Sequence, residues 1–177
     1  MDSERFSHIA EAYASFEREL LRSGKLPLRA TSRGFWSAAI GKEVFSAFQE
    51  LGLKNYKKFI DLGSGDGRVV LIASLFVPKA EGIEIDEELH GIAQNMGKKL
   101  GSHATFHCKD LYAHDLSPYD VFFISPDAPF ERGMEGKLLK EMKGDLIVYG
   151  NHFHPRFMEK KKSITVNGTL VGVYGRK

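Results

Sequence analysis

The chain reads as an α/β protein: a doubly wound, mostly parallel seven-stranded sheet with a C-terminal antiparallel β-hairpin and two N-terminal helices. Three observations carry that reading. From Lys58 onward, short apolar runs alternate with helical stretches of about 10–15 residues, the signature of βαβ units whose sheet is covered on both faces. Three glycines at alternate positions, Gly63, Gly65 and Gly67, follow the first of these runs and open a helix. Near the end, two apolar runs are separated only by Asn167-Gly168, whose tolerance of positive φ makes it a strong hairpin signal.

Taken in order, residues 3–22 predict a helix, with Phe6, Ile9, Ala10, Tyr13, Phe16, Leu20 and Leu21 spaced along one apolar face. Residues 23–34 predict a loop, and Phe35 to Leu51 a second helix ending at Gly52. KFIDL (58–62) predicts a buried strand and Gly67 to Phe76 a helix. AEGIEI (80–85) predicts a strand, and Glu87 to Leu100 a helix ending before Gly101. ATFHCK (104–109) and YDVFFI (119–124) predict strands, followed by a helix from Glu131 to Met142 and a strand over 145–150. SITV (163–166) and TLVGVYG (169–175) complete the sheet as the hairpin. The expected organisation is one domain, with a helical extension over residues 1–56 and a Rossmann-like core over 57–177.

Composition narrows the function. With 177 residues, the chain is long enough to bury roughly 70% of its unfolded surface in one core. A net charge of +2 gives no global pull toward nucleic acid. The single cysteine, Cys108, forbids an intrachain disulfide and a multi-cysteine zinc site. Alternation with Ala104 and Phe106 places it as a small buried residue. No apolar run approaches the ~20 residues that span a bilayer, and the N-terminus is too charged for a secretory leader. The expectation is a soluble, cytoplasmic, non-membrane protein.

The chemistry concentrates in Asp61-Leu62-Gly63-Ser64-Gly65-Asp66-Gly67. Such a loop, between a strand and a helix, lies at the carboxyl end of the sheet, where open α/β folds bind ligands. Its spacing is G-x-G-x-G rather than G-x-G-x-x-G, and Asp61 and Asp66 flank it, so a pyrophosphate is repelled. No P-loop is present. Carboxylates suit instead a ligand with a cationic amino group and a ribose. Glu84, twenty-three residues after Asp61, ends the second core strand and can accept from two ribose hydroxyls. Asp110 ends the third, where it can accept from an exocyclic amine.

FIDLGSGDGRVV, GIEIDEEL, CKDL and YDVFFISP resemble the successive motifs of class I S-adenosylmethionine-dependent methyltransferases across residues 55–177. The resemblance implies that Gly63, Ser64, Gly65, Asp66 and Gly67 pass under the methionine part of S-adenosylmethionine, with Asp61 near its amino group. It implies Glu84 and Ile85 at the ribose, and Asp110 and Leu111 at the adenine. Within that superfamily, DLGSGDGR and KLLKEMKGDLIVYGNHFHP are similar to protein lysine methyltransferases lacking a SET domain. Ser125-Pro126-Asp127-Ala128-Pro129-Phe130 stands where many base-modifying members carry Asn/Asp-Pro-Pro-Tyr/Phe. It departs from that motif, which argues against amine methylation of bases. Ser125 and Asp127 remain candidates to orient an acceptor, and Ser125 also to touch cofactor. The acceptor expected is protein lysine. RNA, a small molecule, or a non-catalytic binding role are the alternatives, and the oligomeric state is left open.

Other residues invite plainer readings. Phe35 and Trp36 read as core aromatics opening a helix, with a lid over the cofactor or substrate channel as the alternative. Arg18, Arg22, Lys25, Arg29 and Arg33 form a basic stretch best explained as a solvated surface, and Lys160 to Lys162 a charged turn before the hairpin. His152 and His154 are spaced to share one strand face but lack a third metal ligand. Asn151 or His152 is placed to touch substrate.

Overall fold

The computed structural model describes residues 2–32, 34–130 and 133–177. Ahead of the core stand α1 (Asp2–Arg22), the strands β1 (Leu28–Thr31) and β2 (Gly34–Ser37), and α2 (Gly41–Leu51). The core runs β3 (Lys58–Leu62), α3 (Arg68–Ala73), β4 (Lys79–Glu84), α4 (Glu87–Lys99), β5 (Thr105–Cys108) and β6 (Val121–Ile124). It continues through α5 (Met134–Glu141), β7 (Asp145–Tyr149), β8 (Glu159–Val166) and β9 (Thr169–Gly175).

Seven strands form one sheet in the order β5-β4-β3-β6-β7-β9-β8. β3 to β7 are parallel, and β9 runs antiparallel between β7 and β8. The chain winds outward from β3 to β5, then returns to lay β6 on the other side of β3. That reversal opens a crevice beyond the carboxyl ends of β3, β4 and β6.

Period-two alternation puts successive residues on opposite faces. Phe59 and Phe123 face one side, where Phe48 of α2 meets each ring edge-on at 5.7 Å. Ile60, Phe122 and Leu146 face the other, against Leu138 of α5. α1 joins the first face through buried Ile9 and Tyr13, with Phe6 stacked on Phe45 at 4.1 Å, while Leu21 is exposed.

Several expectations need correction. Residues 28–37 are not loop and helix but an antiparallel ladder, Arg29 opposite Trp36 and Ala30 opposite Phe35. The aromatic pair suits a strand, and Ile40 is still extended (ψ 104°), so α2 begins only at Gly41. Phe35 is therefore an exposed residue rather than core. Cys108 is exposed, because β5 is an edge strand and Cys108 is its last residue. Lys160 to Lys162 belong to β8 rather than to a turn. His152 and His154 lie in an irregular segment, and His154 Nδ1 meets the Tyr174 hydroxyl at 2.9 Å. Asn151 is occupied structurally: its amide donates to the Gly168 carbonyl and its Oδ1 accepts from Leu170 N–H. The helix expected from Glu131 is described from Met134 onward; Glu131, Arg132 and Arg33 lie outside the described residues.

Candidate active site

The loops after β3, β4, β5 and β6 surround an open cavity of about 830 Å³, closed on its remaining side by the β1–β2 hairpin. Asp61, Gly63, Ser64, Asp66, Glu84, Ile85, Asp110, Leu111, Ser125 and Asp127 all line it. Gly65 and Gly67 do not, and their roles are different.

The backbone of Gly63 turns at φ +84°, and a Cβ there would meet nothing within 4 Å, so the chain itself leaves that space open. Gly63 and Ser64 N–H groups both donate to the Ile83 carbonyl at 2.9 Å, anchoring the loop to β4. At Gly67 a Cβ would lie 2.6 Å from the Ala93 Cβ and 2.8 Å from the Phe106 ring. That glycine lets the loop press onto α4 and β5. Glu84 joins two loops with one carboxylate: Oε2 accepts from Gly65 N–H at 2.9 Å, Oε1 from Ile85 and Asp86 N–H at 2.8 and 2.9 Å.

The acids divide by what neutralises them. Asp66 is buried and committed to Arg68, whose Nε and Nη2 donate to its oxygens at 2.7–3.2 Å. Arg68 Nη1 reaches on to Glu17 at 2.7 Å, its guanidinium lies over the Tyr13 ring, and Tyr13 donates to the Asp66 carbonyl. Asp66 therefore holds α1 against the glycine loop rather than offering its charge to a ligand. Sequence reasoning missed Arg68; its one signal was a cation opening an otherwise apolar helix.

Asp61 is buried with no ion pair among the described residues. Burial, then the neighbouring carboxylates of Glu84 and Asp66, push its carboxyl well above the usual carboxylate range. Asp61 and Glu84 thus give the cavity wall two neighbouring carboxyl groups with no cation paired to either among the described residues. Asp110 sits at the rim, where its Oδ1 accepts from Tyr112 N–H at 2.9 Å.

Across the cavity, Ser125 and Asp127 are exposed beyond the end of β6. Asp127 Oδ2 accepts from the Phe35 N–H at 2.5 Å, bringing the hairpin to the β6 side of the cavity. Phe35, Trp36, Tyr112 and Phe130 give this side an aromatic character. Of these, the sequence pointed to Phe35 and Trp36 as the lesser reading of a lid and to Phe130 within the loop 125–130; Tyr112 carried no signal.

Residues 38–131 match the family described as "Histone methylation protein DOT1". No curated protein matches the chain significantly. Among solved structures, an RNA methyltransferase from Salinibacter ruber in complex with S-adenosyl-L-homocysteine superposes with a TM-score of 0.68. It is 23% identical, over 77% of this chain and 92% of its own. A magnesium protoporphyrin IX methyltransferase from Synechocystis gives 0.63 at 15% identity, over 77% and 84%. A putative methyltransferase from Escherichia coli gives 0.62 at 18%, over 80% and 89%. These likenesses establish the fold.

Proposed function

The chain belongs to the histone methylation protein DOT1 family and is a class I S-adenosylmethionine-dependent methyltransferase; from that premise we propose that its acceptor is a protein lysine. The carrying observation is the pair of carboxyl groups, Asp61 and Glu84, that line the cavity beside the open space at Gly63 with no cation paired to either among the described residues. When bound, the cofactor supplies a methyl group on a positively charged sulfur. Asp61 would hold its ammonium, relieving the burial of an unpaired carboxylate. The loop amides use three of the roughly four acceptor sites of the Glu84 carboxylate, leaving Oε2 one for a ribose hydroxyl. Ile85 and Leu111, which line the same cavity, would flank the nucleoside, and Asp110 would accept from its base.

Methyl transfer is an in-line displacement, so placing the acceptor does most of the work and no protein nucleophile is needed. Ser125 and the second oxygen of Asp127 orient the acceptor amine. Phe35 and Tyr112 line this side of the open cavity, where an acceptor lysine would lose its proton to solvent before its nitrogen attacks. Residues 1–56 shape the entrance, and the acidic mouth suits a cationic side chain better than a phosphate backbone.

The reading is tested by incubating the protein with tritiated cofactor and cell lysate. Label that protease releases and acid hydrolysis recovers as methyl-lysine supports it. Label removed by nuclease assigns RNA, and label in neither fraction a small molecule. Cofactor binding without any product identifies a scaffold. A Gly63→Arg variant, filling the open space, is expected to lose S-adenosylhomocysteine binding by calorimetry.

A further inference from the structure

The hairpin β1–β2 shares no ladder with the seven-stranded sheet, so side-chain attachments decide where it lies. Two of these, among the described residues, stand on opposite sides of the cavity. Arg29 pairs with Asp86 at 3.0 Å and with Glu88, both just beyond the end of β4. Phe35 N–H donates to Asp127, just beyond the end of β6. Because β3 lies between β4 and β6, a hairpin tied at these two points must cross the end of β3. That end is the glycine loop.

The residue placed on the crossing is Trp36. A Cβ on Gly65 would stand 2.1 Å from Trp36 Nε1 and 2.4 Å from its Cδ1, so the indole rests directly on the loop backbone. Its other side faces the cavity. The attachment at Asp127 is close enough that Gly34 has no room for a side chain: a Cβ would lie 2.1 Å from Asp127 Oδ2.

We propose that Trp36 is a cofactor-covering residue, and that Arg29 and Asp127 are positioning residues that strap its indole across the glycine loop. The inference rests on the cofactor reading above. An indole face beside Asp61 and Glu84 completes a cation site from the side the acids leave open, because its π cloud attracts positive charge. The Arg29 attachment is about one-third exposed, so the strap is held by contacts weak enough to open for entry. Once closed, it slows release.

Trp36 is the chain's one tryptophan, which makes its emission a direct reporter. The test titrates S-adenosylhomocysteine by calorimetry and by tryptophan fluorescence in parallel. No acceptor is present, so any acceptor role of Asp127 does not enter. The expected result is a saturable emission change with the same Kd as the heat. Trp36→Ala is expected to weaken binding about tenfold, while Trp36→Phe keeps most of it. Arg29→Ala and Asp127→Ala are expected to raise the release rate several-fold while leaving the melting temperature near wild type. Heat without an emission change, or wild-type affinity in Trp36→Ala, overturns the strap and leaves the cofactor reading standing. Absence of heat overturns the cofactor reading and this inference with it.

Discussion

On one side of the cavity Asp66 is buried and gives both carboxylate oxygens to Arg68, which also grips Glu17 and covers the Tyr13 ring. On the other side Asp127 is exposed, and its Oδ2 accepts from the Phe35 backbone amide in a hairpin outside the main sheet. The first wall is fixed by redundant buried bonds that cannot be lost singly without stranding a charge. The second is fixed by individual contacts in reach of water. Precise placement of a common ligand needs the first kind of wall; admitting and releasing it needs the second.

The largest test of this contrast is Arg68→Ala. It leaves Asp66 buried without a cation and cuts α1 from the glycine loop, so it is expected to cost about 3–5 kcal/mol in denaturant unfolding. Next comes Gly67→Ala, where φ is +82° and a methyl group would meet Ala93 and Phe106. It is expected to cost about 2 kcal/mol by the same measurement.

Asp61→Asn should act in the opposite sense on stability. The raised carboxyl of Asp61 contributes stability that is present below the ordinary carboxylate range and lost as pH rises through its raised value. At neutral pH, where the unfolded chain ionises this carboxyl freely, its burial in the ligand-free protein therefore costs stability. Its replacement is expected to raise the melting temperature by roughly 2–4 °C while weakening cofactor binding. The same shift predicts that wild type releases a proton on binding S-adenosylmethionine, and that affinity rises with pH until Asp61 is ionised. Calorimetry in two buffers of different ionisation enthalpy reads that proton. The smallest effect belongs to the outer wall: Arg29→Ala is expected to cost no more than about 1 kcal/mol in unfolding. A larger cost would show the hairpin to be part of the structural core and erase the contrast.

The parallel sheet and the acids at its strand ends were legible because their signals are local and repeated. Lys58–Leu62, Val121–Ile124 and Asp145–Tyr149 are short, largely apolar runs that suit a sheet covered on both faces. Asp61, Glu84 and Asp110 stood out because each is at or just past the carboxyl end of a strand, and all three line the cavity. The outer wall was illegible for the converse reason. Phe35-Trp36-Ser37-Ala38-Ala39-Ile40 has no capping residue to mark where α2 starts; Ile40 stands at the cap with no side-chain bond. Apolar spacing then merged strand and helix into one element. Asp66 was read as a ligand carboxylate because its partner's reach to Glu17, fifty-one residues away in the chain, is a tertiary fact. Cys108 was read as buried because alternation reports which face a residue shares, and says nothing of whether its strand is at an edge.

The separate two-stranded ladder of β1 and β2 carries one more implication. No main-chain bond of the seven-stranded sheet would be broken if that ladder were lengthened, shortened or exchanged. The gatekeeping part of the molecule is thus an interchangeable module, open to grafting while the scaffold beneath keeps its architecture.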